Sequence, residues 1–192
     1  MAGEITIGDA AINNSGYHPN NYTYIAFKTA ANKTGTITEV KLYVHQYMGN
    51  IKVGTFSRDG AKFTMRDSQS IANQSAGLKT ITVDLDVVTG DYLGIYYVSG
   101  SLDGKSYTGS GVYSKIGDQF AAGEQTYTLD PFGNDTISMS GTGDEATTGT
   151  NAQINIGDDW KAIDAIQINI GDTWKAVAGA QVNIGDSWKD IF

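Results

Sequence analysis

The chain contains 192 residues, a length that fits one domain or one domain with an appendage, and its formal net charge is −8. Without a basic stripe, this acidic balance disfavours nucleic-acid binding, because neutralising phosphates requires clustered lysine and arginine. The absence of cysteine excludes disulfides, thiolate metal ligands and cysteine nucleophiles. Abundant glycine, tyrosine and threonine, with only two prolines, favour an all-β protein.

Residues 1–4 lack the basic and apolar regions of a signal peptide, so we expect cytoplasmic synthesis without signal-peptide export. No window approaches the run of about 18 apolar residues that a membrane-spanning helix requires. The negative charge also argues against binding to anionic membrane surfaces. We therefore expect no membrane insertion.

Residues 1–143 contain a succession of short β-prone segments. Glycine, asparagine and aspartate separate these segments, and such residues form turns because they tolerate positive φ. Asp59-Gly60 predicts a hairpin between two of the strands. About eight strands, with turns about 8–12 residues apart, predict a β-sandwich of the jelly-roll type. The predicted strands are 22–29, 35–48, 51–56, 61–65, 79–87, 92–98, 125–129 and 136–140.

Residues 144–151 are small and polar and show no hydrophobic period. Such a composition is typical of a flexible linker. We therefore predict a boundary here between a sandwich over 1–143 and a separate segment over 152–192.

The segment 152–192 repeats one motif three times. The sequence Gln-Ile-Asn-Ile-Gly-Asp-x-Trp-Lys begins at Gln153 and Gln167, and a copy with valine in its second position begins at Gln181. A strict short period indicates one structural unit copied along an axis. Each copy of 14 residues has room for two strands and two turns, which predicts a β-meander of about six short strands, prism-like or solenoid-like.

The sequence is compatible with two strand registers within each repeat. A two-residue loop places Asn155 opposite Trp160, whereas a three-residue loop places Ile156 opposite Trp160. In both registers apolar residues fall on both faces, so both faces need cover. We expect homo-oligomerisation, with a trimer favoured, and keep docking within one chain as the alternative. The predicted assembly residues are Ile154, Ile156, Trp160, Ile168, Ile170, Trp174, Val182, Ile184, Trp188 and Phe192.

Carbohydrate binding is the chemistry that the polar and aromatic residues favour. Tyrosine rings can pack on the apolar faces of sugars, while asparagine and aspartate can bind hydroxyl groups. These side chains fall into two patches, one near residue 20 and one near residue 100. The predicted ligand-binding residues are Tyr17, His18, Asn20, Tyr22, Tyr24, Tyr96, Tyr97, Asp103 and Tyr107.

Signals for catalysis are weak. The two histidines, His18 and His45, accompany no Gly-x-Ser-x-Gly motif, and the Walker, His-Glu-x-x-His and dinucleotide-binding motifs are absent. Asp84, Asp86 and Asp91 cluster in sequence, which leaves a small glycan hydrolase as a weaker alternative. If Val83, Leu85 and Val87 form the core face of their strand, Asp84 and Asp86 lie on the solvent face.

We therefore predict no enzyme, no cofactor and no metal site. The repeat aspartates Asp158, Asp172 and Asp186 follow glycine and are interpreted as turn formers rather than calcium ligands.

The tandem copies of strand, glycine-containing turn, Trp-Lys and apolar residue over 153–191 resemble repeats that end many tail, fibre and other virion proteins of bacteriophages. Residues 83–97, with two apolar strands joined by a Gly-Asp corner, resemble more loosely the jelly-roll modules of carbohydrate binders and viral decoration or receptor-binding domains.

The resemblance implies a non-enzymatic structural or adhesive virion protein, made in the host cytoplasm without a signal peptide and located on the virion surface or tail. Other virion proteins, further copies of the chain and a cell-surface glycan are the implied partners. The alternative is a carbohydrate-binding module that recognises cell-surface or polymeric glycans.

Overall fold

A computed structural model describes residues 3–14, 16–105, 111–129 and 136–146, together with the backbone of six short strands between 153 and 190. The chain divides into two compact units, Met1–Ala146 and Thr147–Phe192. Strands dominate, and the described ranges contain no helix, which confirms the prediction of an all-β protein.

The first unit is built on one large antiparallel sheet of twelve strands. The strands are β1 (Glu4–Gly8), β2 (Gly16–Pro19), β3 (Tyr22–Ala26), β4 (Gly35–Asp59), β5 (Lys62–Ile71), β6 (Gly77–Val87), β7 (Tyr92–Lys105), β8 (Val112–Ile116), β9 (Gln125–Thr126), β10 (Thr128–Leu129), β11 (Thr136–Ile137) and β12 (Met139–Glu145). Hydrogen-bonded neighbours follow the order β1-β12-β4-β7-β3-β8-β10, and the other strands pair with members of this path or with each other.

Strand β4 is the spine of this sheet. Its first half pairs with β6 and β12, and its second half pairs with β5 and β7. The prediction of two separate strands, 35–48 and 51–56, is wrong, because β4 continues through Gly49-Asn50 with a bend and does not reverse. Asn50 adopts a left-handed φ of 52°, and the pairing with β7 shifts register between Gln46 and Gly49.

Strand β7 bends beside this point, and Gly100 allows the close approach. Its φ is 86°, and a Cβ atom at this position would lie 1.8 Å from the Tyr47 carbonyl oxygen. A side chain therefore cannot be accommodated where the two long strands bend together. The predicted strand 92–98 consequently continues to Lys105.

Two local predictions are confirmed. Asp59 pairs with Lys62 around a turn at Gly60, whose φ of 61° suits a tight hairpin. Along β6, Val83, Leu85 and Val87 are buried while the two intervening aspartates are exposed. Such alternation is expected for a strand with one buried and one solvent-exposed face, because successive side chains point to opposite faces of a sheet.

Strands β1, β2 and β8 were not predicted, and β12 extends beyond the expected boundary of the sandwich. Asp144 pairs with Glu4, and Glu145 pairs with Gly35, so the first two residues of the predicted linker belong to the sheet. The Glu145 carboxylate accepts hydrogen bonds from Lys33 Nζ at 2.7 Å and from the Gly3 amide at 3.0 Å. The hydrogen bond from Lys33 lowers the pKa of Glu145.

Two hydrophobic clusters stabilise the first unit. The larger one gathers residues from both halves of β4, such as Val40 and Val53, with partners from β1, β6, β7 and β12. The smaller one consists of Ile25, Phe56, Phe63, Phe120 and Tyr127. Edge-to-face contacts hold its rings together, with 5.2 Å between the centroids of Phe56 and Phe120.

The second unit contains three separate two-stranded hairpins with identical registers. In the first, Asn155 pairs with Trp160, so the structure has the two-residue-loop register. The described strands form no ladder between one hairpin and the next, in contrast to the predicted continuous meander. The strands are β13 (Gln153–Ile156), β14 (Asp159–Ala162), β15 (Gln167–Ile170), β16 (Thr173–Ala176), β17 (Gln181–Ile184) and β18 (Ser187–Asp190).

A buried carboxylate, Asp9, follows β1. Its Oδ2 atom accepts a hydrogen bond from the Ile137 amide at 3.2 Å, and its Oδ1 atom is buried with no partner among the described residues. Burial raises the pKa of Asp9 to about 6, against opposing effects from the Ile137 hydrogen bond and the Lys28 charge. The protonated form therefore suits this site, since it removes a poorly solvated charge.

We predict that Asp9→Asn reduces the pH dependence of stability. The folded protein retains the Asp9 proton up to about pH 6, whereas an unfolded aspartate releases it near pH ~4. The wild type therefore gains stability as pH falls from 6 to 4 and loses it as pH rises. The pKa difference amounts to about 3 kcal/mol. We therefore expect the free energy of unfolding of Asp9→Asn, relative to that of wild type, to be higher at pH 8 than at pH 4 by up to about 3 kcal/mol. Urea unfolding at the two pH values measures this difference.

The matched control is Asp86→Asn, at an exposed position of β6. Its stability relative to wild type should change little between the two pH values. Equal pH profiles for wild type and Asp9→Asn would contradict the assignment of the proton to Asp9.

Candidate functional site

The pairing of β2 with β7 joins the two predicted ligand patches. Tyr17 lies opposite Asp103, and His18 lies opposite Leu102. Residues about 85 positions apart in the chain are therefore neighbours in the sheet. The predicted Tyr107 lies outside the described residues.

Four of the predicted ligand residues are buried, namely Asp103 and the three aromatic side chains His18, Tyr24 and Tyr97. The Tyr97 hydroxyl donates to the His18 carbonyl at 2.7 Å, and the Tyr24 hydroxyl donates to the Pro19 carbonyl at 2.8 Å. His18 Nε2 lies 3.1 Å from the Thr136 carbonyl oxygen. These side chains attach β2 to the core, where they have no surface to offer to a ligand.

Tyr17 stacks on His45, which the ligand prediction left out. Their ring centroids are 5.1 Å apart with a 20° angle between planes, and Tyr17 remains 61% exposed. His45 Nδ1 lies 3.6 Å from Asp103 Oδ2. The Asp103 carboxylate is buried and its Oδ1 accepts the Asn14 amide at 2.7 Å. Asp103 Oδ2 therefore lies near His45 but beyond hydrogen-bond distance, and it has no hydrogen-bond partner among the described residues.

Tyr96 lines a shallow groove of about 360 Å³ on the first unit. The groove combines a half-buried aromatic ring with amide, hydroxyl and charged groups, a mixture suited to a polar ligand with apolar faces. Strands β4, β5 and β7 and the loop after β8 supply its walls. The lining residues are Asn50, Ile51, Lys52, Ser70, Ile71, Asn73, Tyr96, Val98 and Asp118.

The register of the sheet explains this convergence. Tyr96 lies opposite Lys52 on β4, and Lys52 lies opposite Ser70 on β5. Asn20, a predicted ligand residue, donates to the Val98 carbonyl at 2.6 Å at the same end of β7. Tyr22 is half-buried and packs against the larger core cluster.

Hydrogen bonds fix the polar rim of the groove. Asn73 Oδ1 accepts the Asn50 amide at 3.0 Å, and Asn73 Nδ2 donates to the Tyr47 hydroxyl at 2.8 Å. Lys52 Nζ lies 2.6 Å from Asp118 Oδ2. The other Asp118 oxygen accepts the Phe120 amide at 3.0 Å, so the backbone of the loop orients this carboxylate.

The acidic residues considered for glycan hydrolysis differ in burial. Asp84 and Asp86 alternate with core residues on the exposed face of β6. Asp91 is buried, accepts two hydrogen bonds from the Arg66 guanidinium and accepts the Val88 amide at 2.9 Å. Asp91 is thus the buried partner of Arg66 in an ion pair, and it also accepts a backbone hydrogen bond from its own turn.

Within the described ranges, no group of three or more histidine or acidic side chains could hold a metal ion. Those ranges also contain no helix long and apolar enough to cross a membrane. Comparison with known proteins gives no assignment, because no protein-family model matches the chain and a search of curated proteins found no match.

For the predicted assembly residues, the structure describes backbone position only. Ile154 pairs with Lys161 and Ile156 pairs with Asp159, and the other two hairpins repeat this arrangement. Phe192 lies outside the described residues.

We predict that Tyr97→Phe destabilises the first unit without changing its fold. The substitution leaves the buried His18 carbonyl without its donor and the Leu102 amide without its acceptor. Loss of such buried partners costs about 1–3 kcal/mol. Chemical denaturation should detect this loss, while Tyr113→Phe, at a half-buried hydroxyl near Arg58, serves as the control with a smaller effect. Equal stability of Tyr97→Phe and wild type would contradict the structural role.

Proposed function

We propose that this chain is a non-enzymatic structural and adhesive virion protein whose three C-terminal hairpins assemble copies of it, most simply as a trimer. On this proposal the protein is a fibre, decoration or receptor-binding component, and the first unit is a displayed β-sandwich of the jelly-roll type. It is made in the host cytoplasm and incorporated into the virion. Its partners are other copies of itself and other virion proteins.

One observation carries the assembly proposal: three hairpins of identical register form three separate two-stranded sheets. A two-stranded hairpin alone in water is marginally stable, because it has too little hydrophobic area and too many unpaired backbone groups. The register also supports a need for cover on both faces. Trp160 and its cross-strand partner Asn155 share one face, and Ile154 and Ile156 share the other.

A repeated unit favours several chains as the source of this cover. Three equal hairpins present three equal sets of strand edges, and copies of the chain can pair with them through symmetric contacts. If the hairpins docked on their own chain, the first unit would have to offer three similar docking sites, one for each hairpin. The sequence of the first unit shows no threefold repeat of this kind.

Carbohydrate binding is the second candidate, and it gives the adhesive role a chemical basis. The observation in its favour is the groove around Tyr96, where a half-buried ring meets a rim of amides. This function is compatible with assembly, since several copies bound to one surface gain avidity.

We predict that replacing Trp160, Trp174 and Trp188 together by serine reduces the oligomer to a monomer. Loss of three large aromatic side chains from every chain removes the largest apolar residues from one face of the repeats. Sedimentation equilibrium of the full chain should show a mass of several times 20.5 kDa for wild type and one chain mass for the variant.

The matched control replaces Lys161, Lys175 and Lys189 by glutamine, which keeps long polar side chains at the neighbouring positions. This control should remain oligomeric. A monomeric wild type at micromolar concentration, or an oligomeric tryptophan variant, would contradict the proposal.

A further inference from the structure

We infer that the groove around Tyr96 is a binding site for neutral hexopyranose glycans. This inference rests on the proposed adhesive function and specifies its site and ligand class. It depends on three features of the described residues: an aromatic wall, an amide held in an unusual backbone conformation and a local balance of charge.

The aromatic wall consists of Tyr96 with Val98 beside it on the same face of β7. Tyr96 is half-buried and packs against the smaller core cluster, which restrains the ring. Val98 remains 40% exposed. A rigid ring with an adjoining apolar side chain offers a flat surface to the axial C–H groups of a pyranose, at little cost in conformational entropy.

Asn50 supplies the amide. Asn21 and Asn50 are the two non-glycine residues of the described ranges with a left-handed φ. Asparagine is one of the few non-glycine residues that adopt this conformation readily, so Asn50 suits the bend of β4 and at the same time presents a side-chain amide. The Asn50 side-chain amide has no hydrogen-bond partner among the described residues, whereas its backbone amide is fixed by Asn73. It can therefore donate to and accept from vicinal hydroxyls.

The charge balance selects neutral ligands. Lys52 is the cation of the groove, and Asp118 pairs with it at 2.6 Å. The remaining polar groups of the lining are amides and hydroxyls. Because the chain carries a net charge of −8, its long-range field also disfavours acidic sugars. To bind Lys52, the carboxylate of a sialylated or uronic glycan would have to displace Asp118. The described lining of the groove contains no second cation that could then pair with Asp118.

The test uses the full chain on an array of neutral hexose oligosaccharides (gluco, galacto and manno series) and of sialylated and uronic oligosaccharides. We expect binding to one or more neutral series and at most background on the acidic ones. Binding restricted to acidic glycans, or absence of glycan binding, would overturn the inference.

Two substitutions locate the site with the neutral glycan that binds best on the array. Asn50→Gly keeps the left-handed bend and removes only the amide, so it should lower affinity without loss of thermal stability. Tyr96→Leu preserves apolar packing and removes the ring, so it should lower affinity at least about tenfold. Tyr96→Phe, which keeps the ring, should lower it less. The control Leu78→Ser, at an exposed position of β6 outside the groove lining, should bind as wild type does.

Affinities of Asn50→Gly and Tyr96→Leu equal to wild type would place the ligand elsewhere and overturn the inference. The mass of each protein in solution separates this result from the proposed assembly. An oligomer that binds no glycan overturns the site and leaves assembly intact, whereas a monomer that binds neutral glycans overturns assembly and supports the site.

Discussion

An isolated β-hairpin has two open edges and two exposed faces, and this constraint governs the second unit, Thr147–Phe192. Each of the three hairpins between Gln153 and Asp190 is a separate two-stranded sheet in the described backbone. The backbone groups on their outer edges need partners, and so do the isoleucines and tryptophans that the register places on opposite faces. In the proposed assembly, repetition would multiply one weak contact by three in each chain, so that association between copies would be cooperative.

The first unit meets the same requirement internally. Strand β4 runs for 25 residues and pairs with four neighbours, two along each half. Its bend at Gly49-Asn50 lets both halves contribute to one core, and the bend of β7 at Gly100 follows it closely. The groove around Tyr96 lies at this bend, with Asn50 at its rim. Local backbone geometry thus links the folding of the sheet to the position of the proposed ligand site.

The local sequence pattern was sufficient to predict a strand and its orientation where one face of the strand is buried and the other is exposed to solvent. The alternation of Val83, Leu85 and Val87 with aspartates predicted both the strand and its orientation, and Asp59-Gly60 predicted a hairpin. The same approach failed at Gly49-Asn50, because a left-handed asparagine serves a bend as well as a turn. Strand β2, Gly16–Pro19, has too little β-propensity to be recognised, and its pairing with β7 forms it.

The candidate site depended on register, which local sequence does not specify for distant strands. Tyr96 was predicted from its neighbourhood of tyrosines, yet its partners in the groove come from β4, β5 and the loop at Asp118. Conversely, His18, Tyr24 and Tyr97 are residue types typical of a ligand-binding patch, yet the structure buries all three in the core. Composition cannot distinguish these two roles, because a tyrosine hydroxyl can be satisfied equally by a sugar or by a backbone carbonyl.

The central claim is that the hairpins are completed by other copies of the chain. The most direct measurement compares the mass in solution of the full chain with that of a chain ending at Ala146, the last residue of the first compact unit. The account predicts an oligomer for the full chain and a folded monomer for the shortened one. A shortened chain that retains the oligomeric mass, or a full chain that is monomeric with its hairpin amides protected from hydrogen exchange, would contradict it.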